Sequence, residues 1–486
     1  MRTILSRITK FHHILIACSM LMAACSCNKN GNKNETASPE PPANSRSDIS
    51  TYLTQPDRFI YFKKQSDEVN FADATTSHPV IDVDTAVTYQ TIDGFGFTLT
   101  GGSAAVIHGL LPAREDELLK ELFNIDSTSI GISYLRVSIG ASDLDAAPFS
   151  YNDIPLNETD YPLARFSIEP DKKNLIPVLK KIIQLNPSIK ILGSPWSAPQ
   201  WMKSNKAFVG GSLLKDNYDV YANYFVRYIK AMQSEGIRID AITPQNEPLH
   251  GGNNPSMVMQ PAEQLDFIKN HLGPAFAANG IDTKIIVYDH NADRPDYPLA
   301  ILNDPEAARY VDGSAFHLYG GPVTALSQVH NAFPEKNIYF TEQWVGGPGN
   351  FSEDLKWHIE TLIIGATRNW SRNVLEWNLA SDPEYRPHTN GGCTNCLGAL
   401  TISSNITRNV SYYIIAHASR FVRPGSVRIS SSNTTSILTV AFKNPEGKKV
   451  LIVLNKDNGS QTFGIRFAGK TATTVLGGGG VATYVW

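Results

Sequence analysis

Eight short β-rich runs, separated by amphipathic stretches, recur along one continuous part of this chain, and that alternation restricts the fold more than any other feature. The runs cover 92–97, 134–139, 190–195, 240–244, 284–288, 313–318, 337–341 and 373–378. Between them lie helical patterns. The stretch 114–123 puts Leu118, Leu119, Leu122 and Phe123 on one stripe, and 218–232 carries aromatics at three-and-four spacing. Strand and helix alternating eight times in order predicts an α/β fold of the (β/α)8 barrel type, spanning 90–404. An open doubly wound sheet is the rival architecture. It would need a glycine-rich turn running from a strand into a helix, and neither Gly94-Phe95-Gly96 nor the Gly477 to Gly480 run reads as one.

Outside the barrel the pattern changes. From 405 to 486, closely spaced runs such as 436–442, 449–454 and 481–486 are broken by turn residues, which predicts an attached β-sandwich domain. The stretch 51–89 has the same character and is expected to add strands to that sandwich. Residues 25–50, rich in Asn, Lys and then Pro, hold too few large apolar side chains to bury a core and read as a flexible tether. Residues 1–24 read as a signal peptide: Arg2, Arg7 and Lys10 precede an apolar stretch too short to span a bilayer. Its end, Leu21-Met22-Ala23-Ala24-Cys25, resembles a lipobox. That predicts lipidation at Cys25 and an exported lipoprotein at a Gram-negative outer membrane or cell surface, touching the membrane only through its lipid anchor.

The chain carries 46 Asp and Glu residues, and most such carboxylates are solvated surface charges. Glu247 and Glu342 differ from the rest in position, because each closes an apolar run, the fourth and the seventh. Barrel enzymes place their chemistry at these strand ends. The two are 95 positions apart, close to the roughly 94 residues that three βα units of a 250-residue barrel occupy. Two carboxylates facing one mouth can serve as general acid/base and nucleophile on a glycosidic bond. With a net charge of -3 and no long basic run, the composition argues against a nucleic-acid partner and suits a neutral ligand.

Around these residues lie Asp93-Gly94-Phe95-Gly96, Arg136-Val137-Ser138, Ser142-Asp143, the 193–199 stretch with Trp196, Asn246-Glu247-Pro248, His317-Leu318-Tyr319, Phe340-Thr341-Glu342, the 377–383 stretch opening on Trp377, and the closing 482–486. In this order they resemble glycoside hydrolase family 30, the group that contains acid glucosylceramidase and bacterial and fungal β-1,6-glucanases. The resemblance covers nearly the whole chain after the tether. It implies that Glu247 is the acid/base and Glu342 the nucleophile of a retaining mechanism that needs no cofactor and no metal. It also implies that Asn246 binds the sugar 2-OH, that Asp143, Trp196 and Trp377 grip the sugar, that His317 and Tyr319 border the nucleophile, and that Arg136 keeps it ionised. Core packing is the plain alternative for the aromatics, and Trp201 and Trp344 stay open between the two. For His317 the alternative is a histidine simply hydrogen-bonded in place; no neighbour in the sequence completes a zinc set.

Two departures from the glucosylceramidase pattern matter: Gln343, and the Gly391-Gly392-Cys393-Thr394-Asn395-Cys396 loop. The loop resembles the bacterial β-1,6-glucanase branch. In an exported chain its Cys393 and Cys396 read as a small disulfide rather than a redox or zinc site. The substrate expected is therefore a β-glucan or β-glucoside, foremost β-1,6-glucan. The alternatives are an exo-β-glucosidase or glucosylceramidase-like hydrolase and, from another class, a surface glycan-binding lipoprotein without catalysis.

Overall fold

A computed structural model describes residues 47–126 and 128–486. The signal peptide at 1–24, Cys25 and the tether as far as 46 lie outside the described residues. The described strands reach slightly into the stretch read as tether. Ile49, the first large apolar residue after the polar stretch, is buried and pairs with Val69, and a strand starts at Ser50. Among the described residues no helix is long and apolar enough to cross a membrane.

Eight parallel strands close into a barrel: β1 (Gly94–Thr98), β2 (Tyr134–Ser138), β3 (Lys190–Ser194), β4 (Ala241–Ile242), β5 (Lys284–Asn291), β6 (Val311–His317), β7 (Asn337–Glu342) and β8 (Ser371–Asn378). Alternate residues of a strand point to opposite faces, so residues two apart stack in successive layers inside. One layer is apolar: Tyr134, Leu192, Ala241, Ile286, Ala315, Tyr339 and Leu375 form a separate buried cluster. Two residues further along five of those strands stand Arg136, Ser194, Thr243, His317 and Thr341, all buried and polar. The apolar layer therefore floors a polar layer at the C-terminal mouth.

The N-terminal strands Ser50–Gln55, Ile60–Lys64 and Val80–Thr91 join the C-terminal strands in one nine-stranded sheet arrangement, whose antiparallel heart is Ile437–Lys443, Lys449–Asn455 and Val481–Val485. Period-two patterning docks it on the barrel. Val440, Phe442, Val450, Ile452 and Leu454 belong to the same core as the barrel helices, whereas Ala441, Leu451 and Val453 face a second core with Phe463 and Tyr484. Burying each such aliphatic side chain contributes about 1.5–3 kcal/mol, so the sandwich is an integral buttress.

One boundary moves. The sequence reading closes the barrel at 404, but the helix Val410–Ser419 follows β8 and supplies the helix of the eighth βα unit. Nine of its ten residues are buried between barrel and sandwich, so it shows no polar stripe by which periodicity could reveal it. Inside that interface His417 bonds Thr483 Oγ1 at 2.9 Å and Thr54 Oγ1 at 2.8 Å, and burial pushes its imidazole down to about 3, leaving it neutral.

Candidate active site

At the mouth, three strands depart from regular pairing. Register shifts fall between Tyr288 and His290, between Phe340 and Glu342, and between Glu376 and Asn378, which leaves Asp289, Thr341 and Trp377 as the extra residues. A bulge of this kind re-aims a side chain. The backbone is also strained: Glu247 (φ 43°), Tyr288 (φ 76°) and Asp289 (φ 66°) occupy the left-handed region that non-glycine residues avoid. Such conformations cost about 1–3 kcal/mol each and persist where surrounding structure imposes them. Here the Glu247 N–H donates to Asp289 O at 2.9 Å and Asn246 N–H to Pro195 O at 2.8 Å, tying the β4 loop to its neighbours.

These distortions converge on a cavity of about 490 Å³ lined by Asp143, Trp196, Glu247, Tyr319, Glu342 and Trp377 together with Trp344, His250, Asn253, His290, Asn291 and the Gly391–Cys396 loop. Arg136, fully buried beneath it, is the hub. Its Nη1 donates to Glu342 Oε2 at 2.6 Å, and its Nη2 to Asn246 Oδ1 at 2.6 Å and Asp289 Oδ2 at 2.8 Å. Trp196 and Trp377 form an aromatic wall, with centroids 5.5 Å apart, and the guanidinium carbon lies 4.7 Å from the Trp196 ring centre. Tyr319 exposes 41% of its surface at the rim, yet its hydroxyl turns inward and donates to Glu342 Oε1 at 3.0 Å. His317 Nδ1 stands between the two glutamates, 3.3 Å from Glu247 Oε1 and 3.7 Å from Glu342 Oε1.

Asp143 sits across the cleft in a nearly closed setting. Cys393 N–H donates to its Oδ2 at 3.1 Å, while Oδ1 is buried with no partner among the described residues. Burial, with the Glu342 and Glu247 charges behind it, pushes Asp143 up to about 7 against the pull of the Cys393 N–H. Cys393 and Cys396 are joined by a disulfide, and the loop they close is stitched to two others. Thr389 N–H donates to Asp143 O at 2.8 Å, and Gly347 N–H to Asn395 O at 2.7 Å. A side chain at Gly392 would meet Asp143 O at 2.5 Å, so only glycine lets the loop lie this close.

Charge at the mouth is unevenly shared. Burial disfavours ionised Asp289, but Arg136 and His317 outweigh it and hold the carboxyl well below the usual range. Burial likewise opposes protonated His317, yet Glu342, Asp289 and Glu247 push it up to about 9. The two glutamates titrate as a pair, the first to ionise holding the other protonated. On Glu247, burial is outweighed by His290 and His317, which pull it down. On Glu342, burial is reinforced by Glu247 and Asp289, and it stays raised despite His317 and Arg136. Direct hydrogen bonding runs the other way: Glu342 accepts from a guanidinium at 2.6 Å and a phenol at 3.0 Å, whereas Glu247 meets imidazoles only at 3.3 and 3.6 Å.

The fold thus gathers Glu247, Glu342, Asp143, Trp196, Asn246, His317, Tyr319, Trp377 and Arg136 in and under one cleft. Trp344 lines the cleft too, whereas Trp201 is buried core, its Nε1 donating to Asn152 Oδ1 at 2.8 Å. Sequence reasoning passes over Asp289 and His290. The signal was there: they follow the fifth apolar run as Glu247 and Glu342 follow the fourth and seventh. The zinc argument also needs correcting. His317 has no metal-ligating neighbour in sequence, but folding brings His290 and Glu247 to it, with one ligand atom of each of the three within 4.8 Å of the others.

A closed parallel barrel with a charged, aromatic-walled mouth and paired glutamates defines a glycoside hydrolase. Residues 92–422 match the glycosyl hydrolase family 30 TIM-barrel domain and 425–484 the family 30 beta sandwich domain, so the chain belongs to glycoside hydrolase family 30. It is 35% identical to Endo-1,6-beta-D-glucanase neg1 of Aspergillus fumigatus, over 75% of this chain and 78% of that one. It is 29% identical to Lysosomal acid glucosylceramidase of Mus musculus, over 82% of this chain and 81% of that one. Among solved structures, the endo-beta-1,6-glucanase BT3312 superposes with a TM-score of 0.84 at 34% identity, covering 91% of this chain and 99% of that one.

Proposed function

We propose that this family 30 hydrolase cleaves β-1,6-linked glucan with retention of configuration, using Glu342 as nucleophile and Glu247 as acid/base. The observation that carries the assignment is the Arg136 hub: one guanidinium binds Glu342 at 2.6 Å and Asn246 at 2.6 Å, while Glu247 meets only imidazoles and at longer range, His317 at 3.3 Å and His290 at 3.6 Å. Charge-assisted bonds are about twice as strong as neutral ones. The charge therefore belongs on Glu342 and the shared proton on Glu247. In the first step Glu247 gives that proton to the leaving oxygen as Glu342 attacks the anomeric carbon. In the second, Glu247 takes a proton from water, which attacks the same carbon and frees Glu342. Because Asn246 Oδ1 is turned to Arg136, its NH₂ remains to donate to the sugar 2-OH, and Trp196, Trp377 and Asp143 grip the ring.

Two features support a glucan over a lipid glycoside. The named relatives at 34–35% identity include endo-1,6-beta-glucanases, and the cleft lining includes His250, Asn253 and Asn291, polar groups that suit a sugar chain better than a ceramide. The signal and lipobox at 1–25 support export with a lipid anchor at Cys25. The test is a panel of β-1,6-, β-1,3- and β-1,4-glucans and glucosylceramide, read by product size. Short β-1,6-linked oligosaccharides as main products are expected; glucose from glucosylceramide with β-1,6-glucan untouched would overturn the substrate assignment.

A further inference from the structure

We propose that Glu247, His290 and His317 form an inhibitory site for a borderline divalent cation, Zn²⁺ above all, inside the catalytic cleft. One ligand atom from each residue lies within 4.8 Å of the others. Glu247 Oε1 is 3.3 Å from His317 Nδ1 and 3.6 Å from His290 Nδ1. Donors about 2.0–2.1 Å from a tetrahedral zinc are roughly 3.3 Å apart, so small ring rotations complete the set.

Two further observations point to a ligand. His290 Nδ1 is buried without a hydrogen-bond partner among the described residues, and its side chain is 10% exposed, turned toward Glu247. His317 Nε2 bonds Asp289 Oδ1 at 3.0 Å while Nδ1 faces Glu247 Oε1 at 3.3 Å. This is the carboxylate–histidine arrangement that orients metal ligands and raises their basicity. Glu342 Oε1, 3.7 Å from His317 Nδ1, offers a further oxygen on the open side. Zn²⁺ would take the place of the protons on His317 and Glu247, releasing them to water. An ion held there removes the acid/base and fills the space of the leaving oxygen, so inhibition should compete with substrate.

The inhibition arm rests on the proposed reaction; the binding arm does not. Zn²⁺ is titrated calorimetrically into the full chain freed of metal with a chelator, and Co²⁺ is used as a visible-absorption probe. The expected result is a cleft site whose Co²⁺ spectrum lacks thiolate charge-transfer bands, with kcat/KM falling as the site fills and kcat recovering at saturating substrate. His290→Ala and the isosteric Glu247→Gln should each weaken Zn²⁺ binding by about tenfold or more, and melting curves check that both fold. Zn²⁺ affinity unchanged in both folded variants would overturn the site. Loss of affinity in both without inhibition of the wild type would overturn the inhibitory role. A wild type inactive on every glucan would refute the proposed reaction and leave the binding result to stand by itself.

Discussion

The two ends of this barrel are both charged, but only one is balanced. At the N-terminal end each carboxylate has its own cation: Asp93 pairs with Arg372 at 2.7 Å, Asp240 with Lys190 at 3.0 Å and Asp312 with Lys284 at 3.1 Å. Those lysines are about two-fifths exposed, at 41% and 42%. At the mouth, Asp143, Glu247, Asp289 and Glu342 crowd around Arg136 and two histidines, all but Glu247 buried. The apolar layer of Tyr134, Leu192 and Leu375 separates the two. Pairs at the base can be lost cheaply because water replaces the partner. At the mouth nothing replaces it, and that imbalance is what perturbs the carboxyls and makes them chemically useful.

The largest effect is expected where the imbalance meets the reaction. Glu342→Gln should lower kcat by about 10⁴-fold or more, the scale of losing a nucleophile; near-normal turnover would remove Glu342 from that role. Glu247→Ala should cost about 10²–10⁴-fold on glucan. It should cost far less on an aryl glucoside with a good leaving group, with partial rescue by azide; an equal loss on both substrates would contradict the acid/base assignment. Arg136→Met tests the hub itself. Removing one partner of a buried pair costs about 3–5 kcal/mol, so the melting temperature should fall well below that of the parent. The Glu342 carboxyl, already raised by burial, should rise further without its cation, moving the acid limb of kcat/KM to higher pH. A variant as stable as the parent, with an unmoved limb, would break the comparison. Lys284→Met at the base should change stability by no more than about 1 kcal/mol and leave the pH profile alone; a loss as large as that of Arg136→Met would show that the base is not the balanced end.

Much of this arrangement was legible in the sequence because strand ends advertise themselves. The eight runs map one to one onto β1–β8, even where β4 is reduced to Ala241–Ile242, because Asp240 to Pro244 still reads as an apolar run with a polar stop. Glu247 and Glu342 were visible by the same signal. Asp289 and His290 carried it too, but their role depends on a bulge and a left-handed backbone at Asp289, which arise from pairing with β6 and leave no local mark. The helix Val410–Ser419 escaped for the opposite reason: buried on nearly every side, it has no amphipathic period. Which glutamate holds the proton is a property of four carboxyls, two imidazoles and one guanidinium together, and no single stretch of sequence contains it.

Trapping the covalent intermediate tests the central assignment most directly. A 2-deoxy-2-fluoro-β-glucoside with a good leaving group slows the second step more than it slows the first, and intact mass followed by peptide mapping locates the adduct. The account predicts one sugar per chain, on the peptide bearing Glu342, absent from Glu342→Gln. An adduct on Glu247, or turnover that releases the α-anomer first with nothing trapped, would contradict it.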